Sequence, residues 1–309
     1  KGWTPISDDV VTDAPVAPPT QKAIFAFGFV NAGSETNVSN LVSSNGTVGN
    51  DVTGVGTART YFCGASYGTD KGIMAFGGAL TGANRTGVSN LISNQGVVAS
   101  DTSAVGTARL NPGAAGFGTS GQAIFAYGTT GSNSTIVNFI SNSGVVASDS
   151  SGTGTARNNP EGARYGVGLA IMAYGDTGSV TNISNKISSS GVIASDTSGV
   201  GTARTGLGGT SYGTDKAIFA YGTGDVNMSN LVSNTGVVSS DVGGVGTGRN
   251  NCAGTNYGGD LGLFGYGLTG STNQNMTNKV SNQGVVASDT TGVGTARVMP
   301  SACGYSISA

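Results

Sequence analysis

One set of polar residues at fixed spacing occurs six times along this chain, and that repetition leaves little room for anything but a repeat architecture. Arginine stands at Arg59, Arg109, Arg157, Arg204, Arg249 and Arg297, at intervals of 50, 48, 47, 45 and 48 residues. Eight residues before each comes an aspartate: Asp51, Asp101, Asp149, Asp196, Asp241 and Asp289. Five before each Asp is Gly46, Gly96, Gly144, Gly191, Gly236 or Gly284, and six before that Gly is an asparagine: Asn40, Asn90, Asn138, Asn185, Asn230 and Asn278. Eight after each Arg is an aromatic: Tyr67, Phe117, Tyr165, Tyr212, Tyr257 and Tyr305. Six copies cover residues 21–309, and residues 1–20 share none of this pattern.

Each copy reads as short strands. Ile24-Phe-Ala-Phe27 returns as Ile73-Met-Ala-Phe76, Ile124-Phe-Ala-Tyr127, Ile171-Met-Ala-Tyr174, Ile218-Phe-Ala-Tyr221 and Leu263-Phe-Gly-Tyr266, each followed by Gly. Period-two alternation predicts the second and fourth residues on one face and the alanine on the other. A second segment alternates Val88, Asn90 and Ile92, a turn follows at 93–96, and a third runs Val97-Val-Ala-Ser-Asp101 as a tight hairpin. The fourth, from each Arg to its aromatic, is poor in bulk, as in Gly113-Ala-Ala-Gly116. No apolar 3.6-residue period is long enough for a helix.

Four short antiparallel strands per unit and six units predict an all-β, six-bladed β-propeller. The small-residue segment suits the innermost strand, where blades converge. A β-helix is the rival, but its coils are shorter and rarely carry a charged pair at fixed spacing. The chain enters on the second strand type, at 22–28, and leaves on the first, at 297–309. The C-terminal strand is therefore expected to complete the first blade and close the ring. Pro112, Pro160 and Pro300, three residues after their arginines, suit the start of an inner strand.

The order of small strand, Ile-Phe-Ala-Tyr-Gly, Asn strand, Asp and Arg resembles the kelch repeat, with Phe76-Gly77-Gly78 closest to that family's paired glycines. The family's repeat tryptophan is missing from every copy; the one Trp is Trp3. Strings such as Tyr212-Gly-Thr-Asp-Lys-Ala-Ile-Phe-Ala-Tyr-Gly222 and Val285-Val-Ala-Ser-Asp-Thr-Thr-Gly-Val-Gly-Thr-Ala-Arg297 are similar to Gly-rich repeat proteins of tailed marine phages, including cyanophages. That resemblance implies a virion structural or fibre-like protein.

Composition excludes several chemistries. There is no histidine, which removes Ser-His-Asp, Cys-His and His-zinc sites. Charged residues are 10% with a net charge of −2, so no basic surface invites nucleic acid. The longest apolar runs, such as 23–27, are far short of the roughly 18 residues that span a bilayer as a helix, so membrane insertion is not expected. Cys63, Cys252 and Cys303 fit no zinc spacing and read as small buried residues. Gly116-Phe-Gly-Thr-Ser-Gly121 spells a dinucleotide fingerprint but falls in a hairpin, with no helix to follow. The Asp-Thr-Ser-Gly loops lack the alternating acids of a calcium site. No cofactor and no metal are expected.

The sixfold Asp and Arg could be catalytic, but an active site needs an asymmetry that six equal copies do not supply. They are expected instead to form bidentate pairs that fix strand ends and blade contacts. The Asn, flanked by apolar neighbours, is expected to be a buried amide serving backbone groups.

Length variation is concentrated in one loop type. From each Asn to its Arg is 19 residues in all copies, whereas from the strand-end Gly to the Asn is 12, 13, 10, 10, 8 and 11. The loops 29–37, 79–87, 129–135, 176–180, 223–226 and 268–275 should therefore form one variable rim, and function tends to sit on such loops. Its candidate binding residues are Glu35, Asn84, Arg85, Asn133, Asp176, Asp225 and Asn273. The opposite rim of short uniform turns could lie flat against another subunit. Residues 1–20 are expected to be an extended arm docking outside the ring, with a loose tail as the alternative. These features imply a non-enzymatic module of a virion, an extracellular particle. Its partners would be other virion proteins, through the arm or the flat rim, and a host-surface glycan or protein at the variable rim. The alternative is a secreted carbohydrate-binding propeller.

Overall fold

The Ile-Phe-Ala-Tyr segments are buried β-branched and aromatic runs bounded by glycines, and in the computed structural model each is the middle strand of a small antiparallel sheet. The structure describes residues 20–30, 34–79 and 84–309. In chain order the strands are β1 (Lys22–Val30) and β2 (Ser34–Val42); β3 (Cys63–Tyr67), β4 (Lys71–Ala75) and β5 (Ser89–Ile92); β6 (Gly113–Phe117), β7 (Gln122–Ala126), β8 (Ile136–Ile140) and β9 (Ser150–Ser151). Then follow β10 (Glu161–Tyr165), β11 (Leu169–Ala173) and β12 (Ser184–Ile187); β13 (Gly208–Tyr212), β14 (Lys216–Ala220) and β15 (Ser229–Val232); β16 (Ala253–Tyr257), β17 (Leu261–Thr269) and β18 (Thr272–Val280); and β19 (Ser301–Tyr305). No helix occurs among the described residues.

Each group is one sheet, and β19 joins the first, in the order β19-β1-β2, paired from Lys22↔Tyr305 to Ala26↔Ser301. Along the sequence each sheet's first strand touches the next, β3 to β6 to β10 to β13 to β16 to β19, and β19 touches β3. The arrangement is propeller-like. Pro112, Pro160 and Pro300 stand immediately before β6, β10 and β19.

Six buried clusters lie between neighbouring sheets. Ile73, Ala75 and Phe76 of one sheet pack on Ala123 and Phe125 of the next, and the same pattern recurs to Leu263 and Tyr266 against Ala23 and Phe25. Burial of such side chains contributes about 1.5–3 kcal/mol each. The first strands are so close that a Cβ at Gly162 would lie 2.1 Å from the Ala114 carbonyl oxygen, which is why that segment carries little bulk. At the hairpins after them, backbone N–H groups donate to the adjoining sheet at 2.7–3.0 Å, from Gly68 to Gly121 O, Gly118 to Gly168 O, Gly166 to Asp215 O, Gly213 to Asp260 O, Gly258 to Gln21 O and Ser306 to Asp70 O.

Two expectations are corrected. The fourth residue of each middle segment does not share a face with the second. Phe27, Phe76, Tyr127, Tyr174, Tyr221 and Tyr266 all have φ of 59–68°, and a register shift follows at Ala26/Gly28 and Gly265/Gly267. The left-handed residue turns its ring to the face of the Ile and Ala, so Phe76 clusters with Ile73 and Ala75. Such a conformation costs a bulky residue roughly 1–3 kcal/mol. Its ring then lies under the next repeat's arginine, with Arg109 3.8 Å above Phe76 and Arg297 4.0 Å above Tyr266, a cation–π contact that offsets about 0.5–2 kcal/mol.

The outer segment is also not a regular fourth strand. It touches its neighbour at two points, Val42↔Val48 and Ser39↔Val52, with one more residue on the outer side than on the inner, and only β9 extends this into a ladder. The extra residue is a bulge. Inside it the Asn40 amide donates to Gly49 O at 3.0 Å, so a side chain replaces part of the ladder. The turn before this segment needs glycine: at Gly46, Gly96, Gly144, Gly191, Gly236 and Gly284 φ is +73 to +84°, and a Cβ would lie 2.5–2.8 Å from a Tyr or Phe ring.

Candidate functional site

The recurring polar residues are linked Asn to Asp to Thr in every repeat, and in four of the six an arginine joins them through the Asn. Arg59, 1% exposed, donates to Asn90 Oδ1 at 2.7 Å, to Phe76 O at 2.9 Å and to Thr57 O at 3.1 Å. The Asn90 amide donates to Asp101 Oδ1 at 2.8 Å and to Ala99 O at 3.0 Å. Asp101 in turn accepts the Thr57 backbone N–H with both oxygens at 3.1 Å and the Thr57 hydroxyl at 2.6 Å. The same Thr–Asp clasp joins Thr107 to Asp149, Thr155 to Asp196, Thr202 to Asp241, Thr247 to Asp289 and, across the sequence, Thr295 to Asp51.

The Arg and Asp therefore do not form the expected bidentate pair. Their closest approaches are 4.0 Å for Arg59–Asp101 and 3.8 Å for Arg204–Asp241, with the Asn amide between them. The guanidinium is buried under an aromatic ring while the carboxylate sits at the surface, and the amide, with one donor and one acceptor end, spans the gap. Arg109, Arg157 and Arg204 also donate to Asn138, Asn185 and Asn230. Arg249 and Arg297, fully buried, stack on Tyr221 and Tyr266 and donate to Thr247 O and Thr295 O. Burial pushes the Arg59 guanidinium down to about 10, against the pull of Asp101, and it stays charged at neutral pH. Burial would raise the Asp101 carboxyl, but hydrogen bonds from Thr57 and Asn90 and the charge of Arg59 hold it below its usual range. The threonine of this circuit was missed in the sequence, although a Thr two residues before every Arg is as regular as the Asp.

Also missed were two charges that occur once only. The fourth residues of the first strands are Ser66, Gly116, Arg164, Ser211, Asn256 and Gly304; the first residues are Cys63, Gly113, Glu161, Gly208, Ala253 and Ser301. Arg164 lines a cavity of about 360 Å³ enclosed by the first strands of all six sheets. The signal was available as a departure from the repeat at positions where the other copies are small or neutral.

Glu161 is partly buried, and desolvation pushes its carboxyl up to about 8, with the Gly209 backbone N–H pulling the other way. Between its ordinary value and about 8 the folded chain holds a proton that the unfolded chain has released, so this residue's contribution to stability is lost as pH rises through that window. Glu161→Gln is expected to raise stability at pH 9 and leave it unchanged at pH 4, as read from urea melts at both. Equal shifts at the two pH values would rule out titration as the cause. The thiols are free: Cys252 and Cys303 are buried, which pushes them up to about 11 and about 12, and Cys63, less buried than expected, donates to the Pro112 carbonyl. Thiols so raised are poor nucleophiles.

Two of the expected loops are extended ladder instead. β1 and β2 continue past the bulge to Val30↔Ser34, placing Glu35 on a strand, and β17 and β18 continue to Thr269↔Thr272. The remaining rim candidates divide. Asn133 donates to Asp176 O and accepts from Asn158; Asp225 accepts from Asn250 and from the Gly270 N–H; Asn273, 6% exposed, donates to Phe29 O. These contacts tie neighbouring sheets together along the rim. Asp176 also accepts the Gly178 N–H within its own turn. Asn84 and Arg85 are exposed; the residues 80–83 beside them, and residues 1–19 of the expected arm at 1–20, lie outside the described residues, while Thr20 is buried and accepts from the Asn256 amide.

Among the described residues no group of three or more Cys, Asp or Glu is placed to hold a metal ion, and no helix is long and apolar enough to cross a membrane. No protein-family model matches the chain, and comparison with curated proteins gives no significant match.

Proposed function

We propose that the six sheets are the blades of a closed six-bladed propeller, and that this propeller is a non-enzymatic structural or adhesion module of a phage virion, presenting its variable rim to a host surface or a partner protein. The observation that carries the non-enzymatic reading is the use of the sixfold polar set. Every Asn of it donates to the Asp of its own repeat, in the same way in all six, and in four repeats it also accepts from an arginine. Groups so engaged contribute rigidity and are not free for proton transfer or nucleophilic attack. The closed ring is supported by β19 pairing with β1 and by the Thr295–Asp51 clasp, which repeats between chain ends what the other five clasps do between neighbours. Virion placement rests on the resemblance of the repeat strings alone.

Antibody against the folded chain, used to label particles purified from the source, is expected to decorate them at fixed positions. Unlabelled particles in a preparation whose soluble fraction contains the protein would overturn the virion reading. A carbohydrate-binding propeller is the second reading, favoured by exposed Asn84 and Arg85 on one rim loop. Binding on a glycan array that disappears when 79–87 is replaced by the shorter 223–226 loop would support it.

A further inference from the structure

Antiparallel pairing fixes which residues share an end of the sheets. The hairpins after the first strands and the turns after the third strands stand at one end, the flat rim, and the variable loops stand at the other. All five lysines among the described residues fall at the flat rim. Lys22, Lys71 and Lys216 open middle strands beside the hairpins, and Lys186 and Lys279 are the last residues but one of β12 and β18, just before the turns. The carboxylates at this end are Asp70, Asp215 and Asp260, and two of them are already paired, with Lys71 at 2.6 Å and Lys216 at 2.8 Å. Lys186 and Lys279 donate to Thr235 O and Asn45 O of the neighbouring turns, both at 2.8 Å, which orders the ammonium groups without neutralising them. Lys22 follows Gln21 and so lacks the acid that precedes Lys71 and Lys216. Arg164, one residue before the end of β10, adds a sixth cation.

The variable rim has the opposite sign. The repeat aspartates and arginines lie at that end in equal number, but the carboxylates are exposed, whereas the guanidiniums beneath them are at most 2% exposed. Outside that set, Glu35, Asp176 and Asp225 are partly exposed acids, and Arg85 is the one base among the described residues of this rim. Glu161, also at this end, holds its proton at neutral pH. Exposed valines recur at both ends. Val97, Val145, Val192, Val237 and Val285, 60–65% exposed, follow the flat-rim turns, and Val55, Val105, Val200 and Val245, 37–41% exposed, lie beside the Thr–Asp clasps.

These charges decide how a second copy approaches. Flat rim on flat rim sets lysine against lysine, and variable rim on variable rim sets acid against acid, so like charge opposes a two-fold pair in either sense. Flat rim on variable rim brings lysines to carboxylates. Both ends also carry the sixfold spacing of the repeat, which sets one copy's exposed valines opposite those of the next. We propose that the molecule associates head to tail, the lysine-bearing flat rim of one copy seated on the acidic variable rim of a second copy. An interface that uses different surfaces of its two members leaves one of each free, so it extends into stacks. The last copy of a stack keeps its variable rim open for the surface contact proposed above. The inference rests on the closed-ring reading and is independent of where the protein resides.

Sedimentation velocity of the full chain over a concentration series provides the test. Association that continues past the dimer is expected at about 50 mM salt, and it should weaken at least tenfold at about 500 mM, where screening acts within a few ångströms. Two variants separate the rims. Lys22→Gln/Lys186→Gln/Lys279→Gln alters the flat rim, Glu35→Gln/Asp176→Asn/Asp225→Asn alters the variable rim, and each alone should associate at least tenfold more weakly. Mixed, they retain one native pair of surfaces, the flat rim of the second on the variable rim of the first. The mixture should therefore form a heterodimer that grows no further. An unaltered chain that stays monomeric at low salt overturns the proposal, whether or not the variants fold. So does one that stops at the dimer, because that marks a two-fold pair. Association lost in the lysine variant but intact in the carboxylate variant would assign the flat rim to another acidic segment, such as residues 1–19 with Asp8, Asp9 and Asp13, and overturns the variable rim as its occupant. The closed ring is tested separately by removing β19. A chain that needs β19 to fold and yet stays monomeric overturns the stacking alone.

Discussion

A chain ending at Pro300, without β19, is expected to lose its cooperative unfolding transition. The deletion removes five paired positions along β1, from Lys22 to Ala26, together with Ala302, Cys303 and Tyr305, each at most 7% exposed. Lost burial of about 1.5–3 kcal/mol for a large side chain, added to roughly 1 kcal/mol for each ladder hydrogen bond, approaches the ~5–15 kcal/mol that holds a typical domain together. The damage also spreads. Tyr305 packs with Ile24, Phe27 and Met74 in one cluster, and Ala302 with Phe25 and Tyr266 in the cluster on the other side. Both interfaces of the first sheet therefore open, and β1, rich in Ile and Phe, becomes an unpaired edge prone to association. Thermal melts by circular dichroism, with light scattering in parallel, provide the measurement. A truncated chain that melts within a few degrees of the full one would sink the inference that the ends of the chain close the ring.

Much of this architecture was legible in the sequence because repetition converts weak local signals into strong ones. A single Ile-Phe-Ala-Tyr is ambiguous between a buried strand and a turn of helix, but six copies, each before Gly, are not. Strand class and the bulk-poor first strand followed directly. What was hidden has particular causes. Phe27 and its five counterparts defeat period-two reading because one residue with φ near 60° reverses the face, and nothing in the local sequence favours that conformation for an aromatic. Its reason is tertiary, the ring being needed under the following repeat's arginine. The Arg–Asp pairing was inferred from charge, whereas in four repeats an intervening Asn holds both, which spacing cannot reveal because the three come together from separate segments. On the rim, Asn133, Asp225 and Asn273 were read as outward-facing because loops are, but they bind the neighbouring loop. Glu161 and Arg164 went unnoticed because attention to what recurs hides what occurs once.

Asn138→Leu is expected to cost about 3–5 kcal/mol, the range for leaving one member of a buried charged network without its partner. Leucine nearly preserves the volume, so the loss is one of hydrogen bonds. Asn138, fully buried, accepts from Arg109 at 2.7 Å and donates to Ala147 O at 3.0 Å and to Asp149 at 2.9 Å. Arg109, equally buried, would keep weaker contacts at 3.3 Å to Thr107 O and Phe125 O. In a domain of this size the loss should lower Tm by roughly 10 °C. A companion Arg109→Met separates the charge from the fold. Removing the guanidinium from the leucine variant takes away the unpaired charge, so Arg109→Met/Asn138→Leu should be more stable than Asn138→Leu alone, and the cycle should show strong non-additivity. Acid provides an independent reading. Burial favours the protonated Asp149 carboxyl, but Thr107, Asn138 and Arg109 hold its titration below the usual range. That carboxylate therefore contributes stability above its unfolded value, near 3.9, which disappears as pH falls through the folded one. Without the Asn138 donor the folded value rises towards the unfolded one, so less stability is left to titrate away: the penalty of the leucine variant should be smaller in acid than at neutral pH, and its acid-unfolding midpoint should move to higher pH by less than the neutral-pH loss alone produces. Additive losses in the cycle, with a penalty as large in acid as at neutral pH, would mean that the amide fills space and does not join the arginine to the aspartate.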